Sequence, residues 1–300
     1  MTDPLAFSCP ECGTALEPLT SDKLRCPSDG AVYDRRDGIW RFLLPQREQA
    51  LARFMSDYET VRRSEGRGDA SAAYYRALPF HDLSGRFAGV WKIRAASYLA
   101  LEPLLERAGV ALDLGSGCGW LAYRLAQRGY RVAAVDLQTN SEDGLGAYVH
   151  YDASFVPVQA EFDRLPFASG SADLLVFNAA LHYSPDYGVT LREALRVLRP
   201  GGLLAVVDSP LYRRASSGQA MVREREAAFS RRFGFPSNAL ASENYLTPAR
   251  LRDLASLLGV RWKLTYPRHG IRFAIRGWKR LLLGGRESAR FPLITARKEA

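Results

Sequence analysis

Three closely spaced glycines, with a carboxylate just before them, are the residues whose types and spacing most clearly indicate chemistry. Residues 111–119 read Ala-Leu-Asp-Leu-Gly-Ser-Gly-Cys-Gly, between an apolar run and a helical pattern. Glycines at such a strand-to-helix turn let the backbone bend tightly and approach a ligand, because no Cβ intervenes. A dinucleotide site needs another glycine where Trp120 stands, and the carboxylate of Asp113 would repel a pyrophosphate. The same carboxylate suits a cationic ligand, such as the methionine end of S-adenosylmethionine.

Cysteines near the N-terminus form a second group with a chemically meaningful spacing. Cys9 and Cys12 have the two-residue spacing that presents two thiolates to one zinc ion, and Cys26 follows a hairpin's length later. A complete zinc ribbon would have Cys or His at position 29 or 30, where this chain has Asp29 and Gly30. Asp29 could supply an oxygen ligand, which zinc accepts. The alternative is a ribbon without metal that hydrophobic contacts hold together.

Composition and charge limit the class of protein. The 300 residues are 47% apolar, which suffices for a packed core, and no apolar run reaches the ~18–20 residues that span a bilayer. Four cysteines do not make a disulfide framework, and the first residues do not resemble an export signal. The sequence therefore predicts a soluble, cytoplasmic protein. Residues 261–300 hold eleven Lys or Arg and two acids, which accounts for the entire net charge of +9.

Part of this basic region has an amphipathic pattern. Within residues 271–283, Ile271, Ile275, Trp278 and Leu282 share one face at helical spacing, and cations lie largely elsewhere. Such a segment is compatible with peripheral contact to a membrane, with an anionic substrate or with RNA. A surface helix packed on the core is the simpler interpretation.

Three blocks of sequence must position these groups: 1–44, which is turn-rich, 45–108, which has a helical pattern, and 109–300. In the last block four strand-like runs alternate with helical patterns, and the runs are 110–114, 131–137, 174–178 and 203–208. This alternation predicts an α/β fold whose parallel sheet is covered by helices and binds ligands at the carboxyl ends of its strands. We expect a lid over the acceptor at about 211–245 and a basic insertion at about 268–290.

The order of these segments resembles a known family. Residues 109–210 resemble the class I S-adenosylmethionine-dependent methyltransferases, particularly the group of the ubiquinone/menaquinone methyltransferases. The resemblance implies a Rossmann-like, doubly wound, seven-stranded, mostly parallel sheet, with 45–108 as a helical linker that covers cofactor and substrate. It assigns the cofactor to Asp113, Gly115, Ser116, Gly117, Gly119, Asp136, Leu137, Glu161, Phe162, Asn178 and Ala179.

Each of these positions carries an implied role. Asp136 ends the second strand and would take both ribose hydroxyls. Glu161 stands where the family usually has Asp, near the adenine amine, and Phe162 would supply a backbone amide and an apolar wall. Asn178 and Ala179 begin the loop beside the sulfonium, and His182 on that loop is the candidate general base for an acceptor that must lose a proton. A histidine that only packs locally is the alternative.

The N-terminal block carries a resemblance of its own. Residues 7–44 look like the zinc-ribbon heads of some bacterial methyltransferases, including the group that methylates N1 of an rRNA guanine. The favoured function is methyl transfer to a small or lipid-like acceptor. The alternatives are an rRNA base methyltransferase and a non-catalytic binding module with the same fold. Residues 1–44 hold five basic and seven acidic residues, and a ribbon that grips phosphates should be basic.

Overall fold

The computed structural model describes residues 5–69, 71–106, 108–235, 240–269 and 286–299. Its strands are β1 (Glu17–Thr20), β2 (Lys23–Arg25), β3 (Val32–Arg36), β4 (Ile39–Arg41), β5 (Gly109–Leu114), β6 (Tyr130–Asp136), β7 (Val156–Gln159), β8 (Ala172–Asn178), β9 (Leu198–Val207), β10 (Lys263–Thr265) and β11 (Leu293–Arg297). Its α-helices are α1 (Pro45–Ser64), α2 (Ala72–Ala77), α3 (Ala88–Leu101), α4 (Trp120–Gln127), α5 (Tyr187–Val197), α6 (Ala215–Phe233) and α7 (Pro248–Leu258).

All the described strands belong to one mixed sheet with the order β1-β2-β3-β4-β7-β6-β5-β8-β9-β11-β10. The pairs from β4 through β7, β6, β5 and β8 to β9 are parallel, whereas the pairs at both ends of the sheet are antiparallel. The expectation of seven strands therefore falls short of the eleven observed. The four extra strands come from the N-terminal block, because β4 pairs in parallel with β7 and continues the sheet.

The central strands consist of apolar residues because helices cover both of their faces. All positions of β5 after Gly109 are buried, as are most positions of β6, β8 and β9. Parallel strands in such a sheet contain few polar residues, since neither face of the sheet contacts water. Two large apolar clusters occupy the two faces, and the cluster that contains Leu112 and Phe177 also contains Trp40 and Phe42 of the N-terminal block.

Local signals explain where the helices near the cavity begin. Pro45 occupies the first turn of α1, where a missing N–H costs nothing. At the other end of this helix, Arg62 and Arg63 in the last turn interact favourably with the negative end of the helix dipole. Helix α5 begins after Asp186, whose carboxylate accepts hydrogen bonds from the amides of Gly188 and Val189 at 2.7 and 3.2 Å.

The expected lid and the basic segment differ in how far the structure describes them. Helix α6 lies within 211–245, and Gly218 is its one buried residue in the described range. The amphipathic segment 271–283 lies outside the described residues, as does most of the expected insertion at 268–290. Among the helices of the described part, none combines the length and the apolar character needed to cross a membrane.

Candidate functional site

A cavity of about 300 Å³ lies at the carboxyl ends of β5, β6, β7 and β8. Each of these strands contributes the residues that follow it, so the loops converge as the parallel topology requires. Of the predicted cofactor residues, the cavity is lined by Gly115, Ser116, Gly117, Asp136, Leu137, Glu161, Phe162, Asn178 and Ala179, together with His182. Asp113 and Gly119 are not among the lining residues.

The glycine loop has a backbone that only glycine adopts without strain. Gly115, Gly117 and Gly119 have φ angles of 73°, 52° and 84°. A Cβ at Gly115 would lie 2.1 Å from the Cβ of Ala180, which is on the loop after β8. The glycine is therefore required both by its own conformation and by the close approach of the neighbouring loop.

Asp113 lies beneath the cavity rather than on its wall. Its side chain is fully buried, and Oδ2 accepts a hydrogen bond from the amide of Ala122 in α4 at 3.0 Å. Burial raises the pKa of Asp113 to about 7, while this amide and the side chain of Asn178 act in the opposite direction. The expected direct contact with a cationic ligand is thus not what the structure presents. The carboxylate ties the strand to the first turn of the following helix.

Asp136 faces the cavity and is bound by the backbone on both sides. Its Oδ2 accepts from the amide of Gly117 at 2.8 Å, and its Oδ1 accepts from the amide of Gln138 at 2.9 Å. Burial raises its pKa, and these two amides counteract the shift. Each carboxylate oxygen keeps a lone pair for a further donor, so a cis-diol can be bound in addition.

Glu161 has a partner that the sequence did not indicate. Arg47 of α1 forms a bidentate ion pair with it, with Nη2–Oε1 at 2.6 Å and Nε–Oε2 at 3.0 Å. The side chain of Glu161 is only 9% exposed, and the pair lines the cavity. Phe162 lines the same wall and packs edge-on against Phe177 of β8 at 5.6 Å between ring centroids.

His182 is partly exposed in the cavity wall, and its lowered pKa leaves it uncharged at neutral pH. Its Nδ1 is 3.4 Å from Oγ of Ser209, and its ring packs against Tyr183 at 4.4 Å between centroids. Burial lowers the pKa of His182 to about 3, and the charges of Arg225 and Arg94 lower it further. An imidazole with this pKa accepts a proton poorly at pH 7, because general bases work best when their pKa is near the working pH.

One face of α1 forms a wall of the cavity, which the sequence analysis did not specify. The lining residues recur at intervals of three and four and are Arg47, Leu51, Phe54, Tyr58 and Arg62. This spacing places them on one side of a helix. From the sequence, residues 45–108 were expected to cover cofactor and substrate, but these five positions were not singled out.

An aromatic group lies where α1 meets the loop after β8. The ring of Tyr183 is 6.4 Å from that of Phe54 and 6.0 Å from that of Tyr58. Arg62 lies 5.6 Å from the ring of Tyr58 and forms an ion pair with Asp143, another cavity residue. This part of the cavity wall therefore combines aromatic rings with a neutralised cation.

Helix α3 adds a cation to the cavity wall. Arg94 lines the cavity, donates to Oδ1 of Asn178 at 3.2 Å and lies 5.5 Å from the ring of Trp91. No carboxylate pairs with it among the described residues. Ser116 Oγ is also buried in the cavity wall, with no partner in the described part of the chain. A half-buried guanidinium, an unpaired hydroxyl, the Asp136 carboxylate and a glycine loop fit an adenosyl amino acid.

The cysteine cluster lies apart from this cavity. The ligand atoms of Cys9, Cys12, Cys26 and Asp29 all lie within 4.8 Å of one another. Cys9 Sγ is 3.1 Å from Asp29 Oδ2, and Cys12 Sγ is 3.5 Å from Cys26 Sγ. Three thiols and one carboxylate converging at this spacing fit a tetrahedral zinc ion.

The central part of the chain is similar to known proteins. Residues 112–206 match the family described as "Methyltransferase domain". An uncharacterized chloroplastic methyltransferase of Arabidopsis thaliana is 30% identical over 160 residues, which are 51% of this chain and 42% of that protein. The ubiquinone/menaquinone biosynthesis C-methyltransferase of Rhizobium etli is 35% identical over 133 residues, covering 41% of this chain and 51% of that protein. The chain thus spans about half or less of these relatives.

A solved structure resembles nearly the whole chain. The 1,6-didemethyltoxoflavin N1-methyltransferase of Burkholderia thailandensis, solved with 1,6-didemethyltoxoflavin and S-adenosylhomocysteine, is 18% identical with a TM-score of 0.51. The match covers 95% of this chain and 99% of that one. At this identity the likeness establishes the fold, which is the Rossmann-like fold that the sequence predicted.

Proposed function

We propose that residues 112–206 form a methyltransferase domain of the class I S-adenosylmethionine-dependent type. On this premise, the chain transfers a methyl group from S-adenosylmethionine to a small or lipid-like acceptor. The observation that carries this proposal is the cavity. The glycine loop and Asp136 line it together with aromatic residues from α1 and from the loop after β8. Such a chamber suits a cofactor together with a compact acceptor.

The residues divide into those that bind the cofactor and those that surround the reacting atoms. Gly115 and Gly117 let the cofactor approach the backbone, Asp136 accepts from the ribose hydroxyls, and Phe162 forms an apolar wall. The Arg47–Glu161 pair borders this same side of the cavity. When bound, S-adenosylmethionine would supply a methyl group on a positively charged sulfur; an acceptor nucleophile would attack that carbon in line, and S-adenosylhomocysteine would leave with the electron pair of the broken C–S bond.

His182 orients the acceptor in this proposal and does not act as a strong base. Its lowered pKa leaves it neutral, so it offers an aromatic edge and one hydrogen bond. The acceptor must then be a neutral amine, an already ionised oxygen or a carbanion, or it must lose its proton to water. Positioning and exclusion of water supply most of the acceleration of such a displacement.

Calorimetric titration with S-adenosylhomocysteine tests the cofactor site. We expect Asp136→Ala to weaken binding at least tenfold, about 1.4 kcal/mol, because the variant loses a partly buried acceptor for two hydroxyls. Asp253→Ala on the exposed face of α7 is the matched control and should bind as the unaltered chain does. If the unaltered chain does not bind S-adenosylhomocysteine, the proposed function is wrong.

The class of acceptor follows from the lining and from the named relatives. The Rhizobium relative acts in ubiquinone and menaquinone biosynthesis by its name, and the Burkholderia enzyme was solved with a small heterocycle. The aromatic group of Phe54, Tyr58 and Tyr183 would contact an acceptor of this kind. Nothing in the comparisons favours the rRNA alternative. The cytoplasmic location stays a prediction, since the Arabidopsis relative is described as chloroplastic.

We also propose that Cys9, Cys12, Cys26 and Asp29 bind zinc. The support is the convergence of their ligand atoms within 4.8 Å, on a donor set that zinc accepts. Metal analysis of the purified chain should give about one zinc per chain. Asp29→Ala should lower the zinc affinity while three thiolates remain. An equal zinc content in the chain and in a Cys12→Ala variant would show that the cluster is not the site.

A further inference from the structure

The N-terminal strands are attached to the segment that carries Glu161, Phe162 and Asp163 at the point where that segment begins. Strand β4 pairs in parallel with β7, with Trp40 opposite Val158 and Arg41 opposite Gln159. The amide of Phe42 also donates to the carbonyl of Gln159 at 2.9 Å. The strand that leads into the cavity segment is thus bonded to the head, a name we give to residues 5–44.

The head also holds the same segment where it ends. The amide of Ser8 donates to the carbonyl of Pro166 at 3.0 Å, and the amide of Ala168 donates to the carbonyl of Ala6 at 2.8 Å. The rings of Phe7 and Phe167 stack at 5.5 Å between centroids. Both ends of the cavity segment 160–165 are therefore fixed to the head, and its middle faces the cavity.

A third link runs through α1, which follows the head directly. The amides of Arg47 and Glu48 donate to the carbonyl of Leu44, so the helix begins where the head ends. The guanidinium of Arg47 then closes on Glu161 in the cavity wall. Any displacement of the head is expected to move both the carboxylate and the cation that border this side of the cavity.

The cysteine cluster adjoins, in sequence, residues of the head that contact the cavity segment. Cys9 follows Ser8, which holds Pro166, and Glu11, which precedes Cys12, forms an ion pair with Arg164 at 3.2 Å. The strands of the head are three to five residues long, and most of their positions are at least partly exposed. The buried side chains of the head belong to the core that it shares with the central strands, and the convergence of Cys9, Cys12, Cys26 and Asp29 is a further contact that a bound metal would tighten.

We infer that the head is a positioning element for the cofactor cavity, so that zinc bound by the cysteine cluster increases the affinity of the chain for the adenosyl part of its cofactor. This inference rests on the proposed function and on the proposed zinc site. The head does not need to touch the acceptor, because it acts through the segment 160–165 and through Arg47.

Calorimetry on the full chain tests the inference, with zinc present and after removal of metal by a chelator. We use S-adenosylhomocysteine and 5′-methylthioadenosine, which lacks the amino acid part. We expect both ligands to bind about tenfold more weakly to the metal-free chain. Cys12→Ala, which removes an exposed ligand, should reproduce the weakening in the presence of zinc, and Lys23→Ala on the exposed face of β2 should not.

A second measurement keeps the test decisive if metal removal loosens the fold. Hydrogen exchange should accelerate in residues 6–12, 45–51 and 160–168 of the metal-free chain and stay slow in β5. In an Arg47→Gln variant the effect of zinc on ligand affinity should shrink, because one of the three links is already broken.

The possible outcomes distinguish failure of this inference from failure of the proposed function. Equal ligand affinity in the zinc-loaded and metal-free chains overturns the inference but leaves the proposed function standing. A chain that binds the ligands yet takes up no zinc also overturns it. Binding of neither ligand under any condition would instead refute the proposed function and, with it, the inference.

Discussion

His182 shows at the scale of single residues how burial changes the chemistry that a sequence suggests. The position after the fourth strand of the central sheet, β8, made it the natural candidate for a general base. The structure surrounds it with the cavity wall and two cations, so its pKa falls to about 3. The residue remains in the candidate site, but a proton-transfer role at neutral pH is no longer the favoured one.

This shift predicts a pH dependence of stability. In the unfolded chain His182 takes up a proton near pH 6.5, whereas in the folded chain it stays neutral down to about pH 3. Its contribution to stability is therefore complete above pH 6.5 and is lost as the pH falls towards 3, by up to about 1.4 kcal/mol per unit. Urea unfolding at pH 7 and 5 should show a larger loss for the unaltered chain than for His182→Gln. Parallel losses would contradict the assigned pKa.

Gly115 gives a second prediction at this scale. Gly115 and Gly170 both have positive φ angles, 73° and 67°, but a Cβ at Gly170 would meet nothing within 4 Å. Gly170→Ala should cost about 1–2 kcal/mol, the strain of a left-handed alanine. Gly115→Ala adds a clash with Ala180 and should cost more and weaken the binding of S-adenosylhomocysteine. Urea unfolding and calorimetry measure the two effects, and equal costs would argue against the clash.

At the scale of secondary structure, α1 changes the interpretation of the 45–108 block. From the sequence, this block was expected to be a helical linker that covers cofactor and substrate. In the structure, Leu51, Phe54 and Tyr58 line the cavity, and Arg47 and Arg62 pair with acids from other loops. The helix is therefore a wall of the candidate site, and its sequence should influence which acceptors enter.

Leu51 tests how firmly this wall is packed. Leu51 is 3% exposed, so Leu51→Ala should lower the free energy of unfolding by about 2–4 kcal/mol through lost burial and a residual cavity. Gln49→Ala, on the exposed side of the same helix, should change it by less than about 0.5 kcal/mol. Urea denaturation at one pH compares them. A small effect at Leu51 would indicate that α1 is only loosely attached to the cavity.

At the scale of the whole molecule, the head is part of the sheet and not a separate appendage. Residues 1–44 carry seven acids and five bases, and their strands extend the sheet beside β7. A module that grips nucleic acid would present a basic surface of its own. The architecture therefore favours a structural role for the head, and the positive charge of the chain resides in residues 261–300.

This arrangement predicts weak interaction with RNA. An enzyme that makes six to ten phosphate contacts loses about 10³- to 10⁵-fold in affinity between 50 and 200 mM salt. We expect filter binding to show that rRNA fragments and a DNA duplex of equal length bind with the same weak affinity. Equal affinities would indicate that binding depends on charge and not on RNA sequence or structure. Tight binding that distinguishes rRNA from DNA would restore the rRNA alternative.

The pattern of residues along the chain was enough to predict the central fold and to suggest the type of cofactor. Alternating apolar runs and helical patterns specify parallel strands, and the glycine loop with Asp136 lies at their carboxyl ends, because these features depend on neighbours in sequence. The cysteine spacing likewise indicated a cluster, which the structure assembles with Asp29 included.

Only the tertiary structure decided which distant groups meet. Arg47 and Glu161 are separated by 114 positions, and the head and the segment 160–165 by more than a hundred, so no local pattern records their contact. Several elements also pack together to produce the burial that lowers the pKa of His182 and covers Asp113. Electrostatics and cavity walls arise from packing between elements, and packing is a property of the folded chain as a whole.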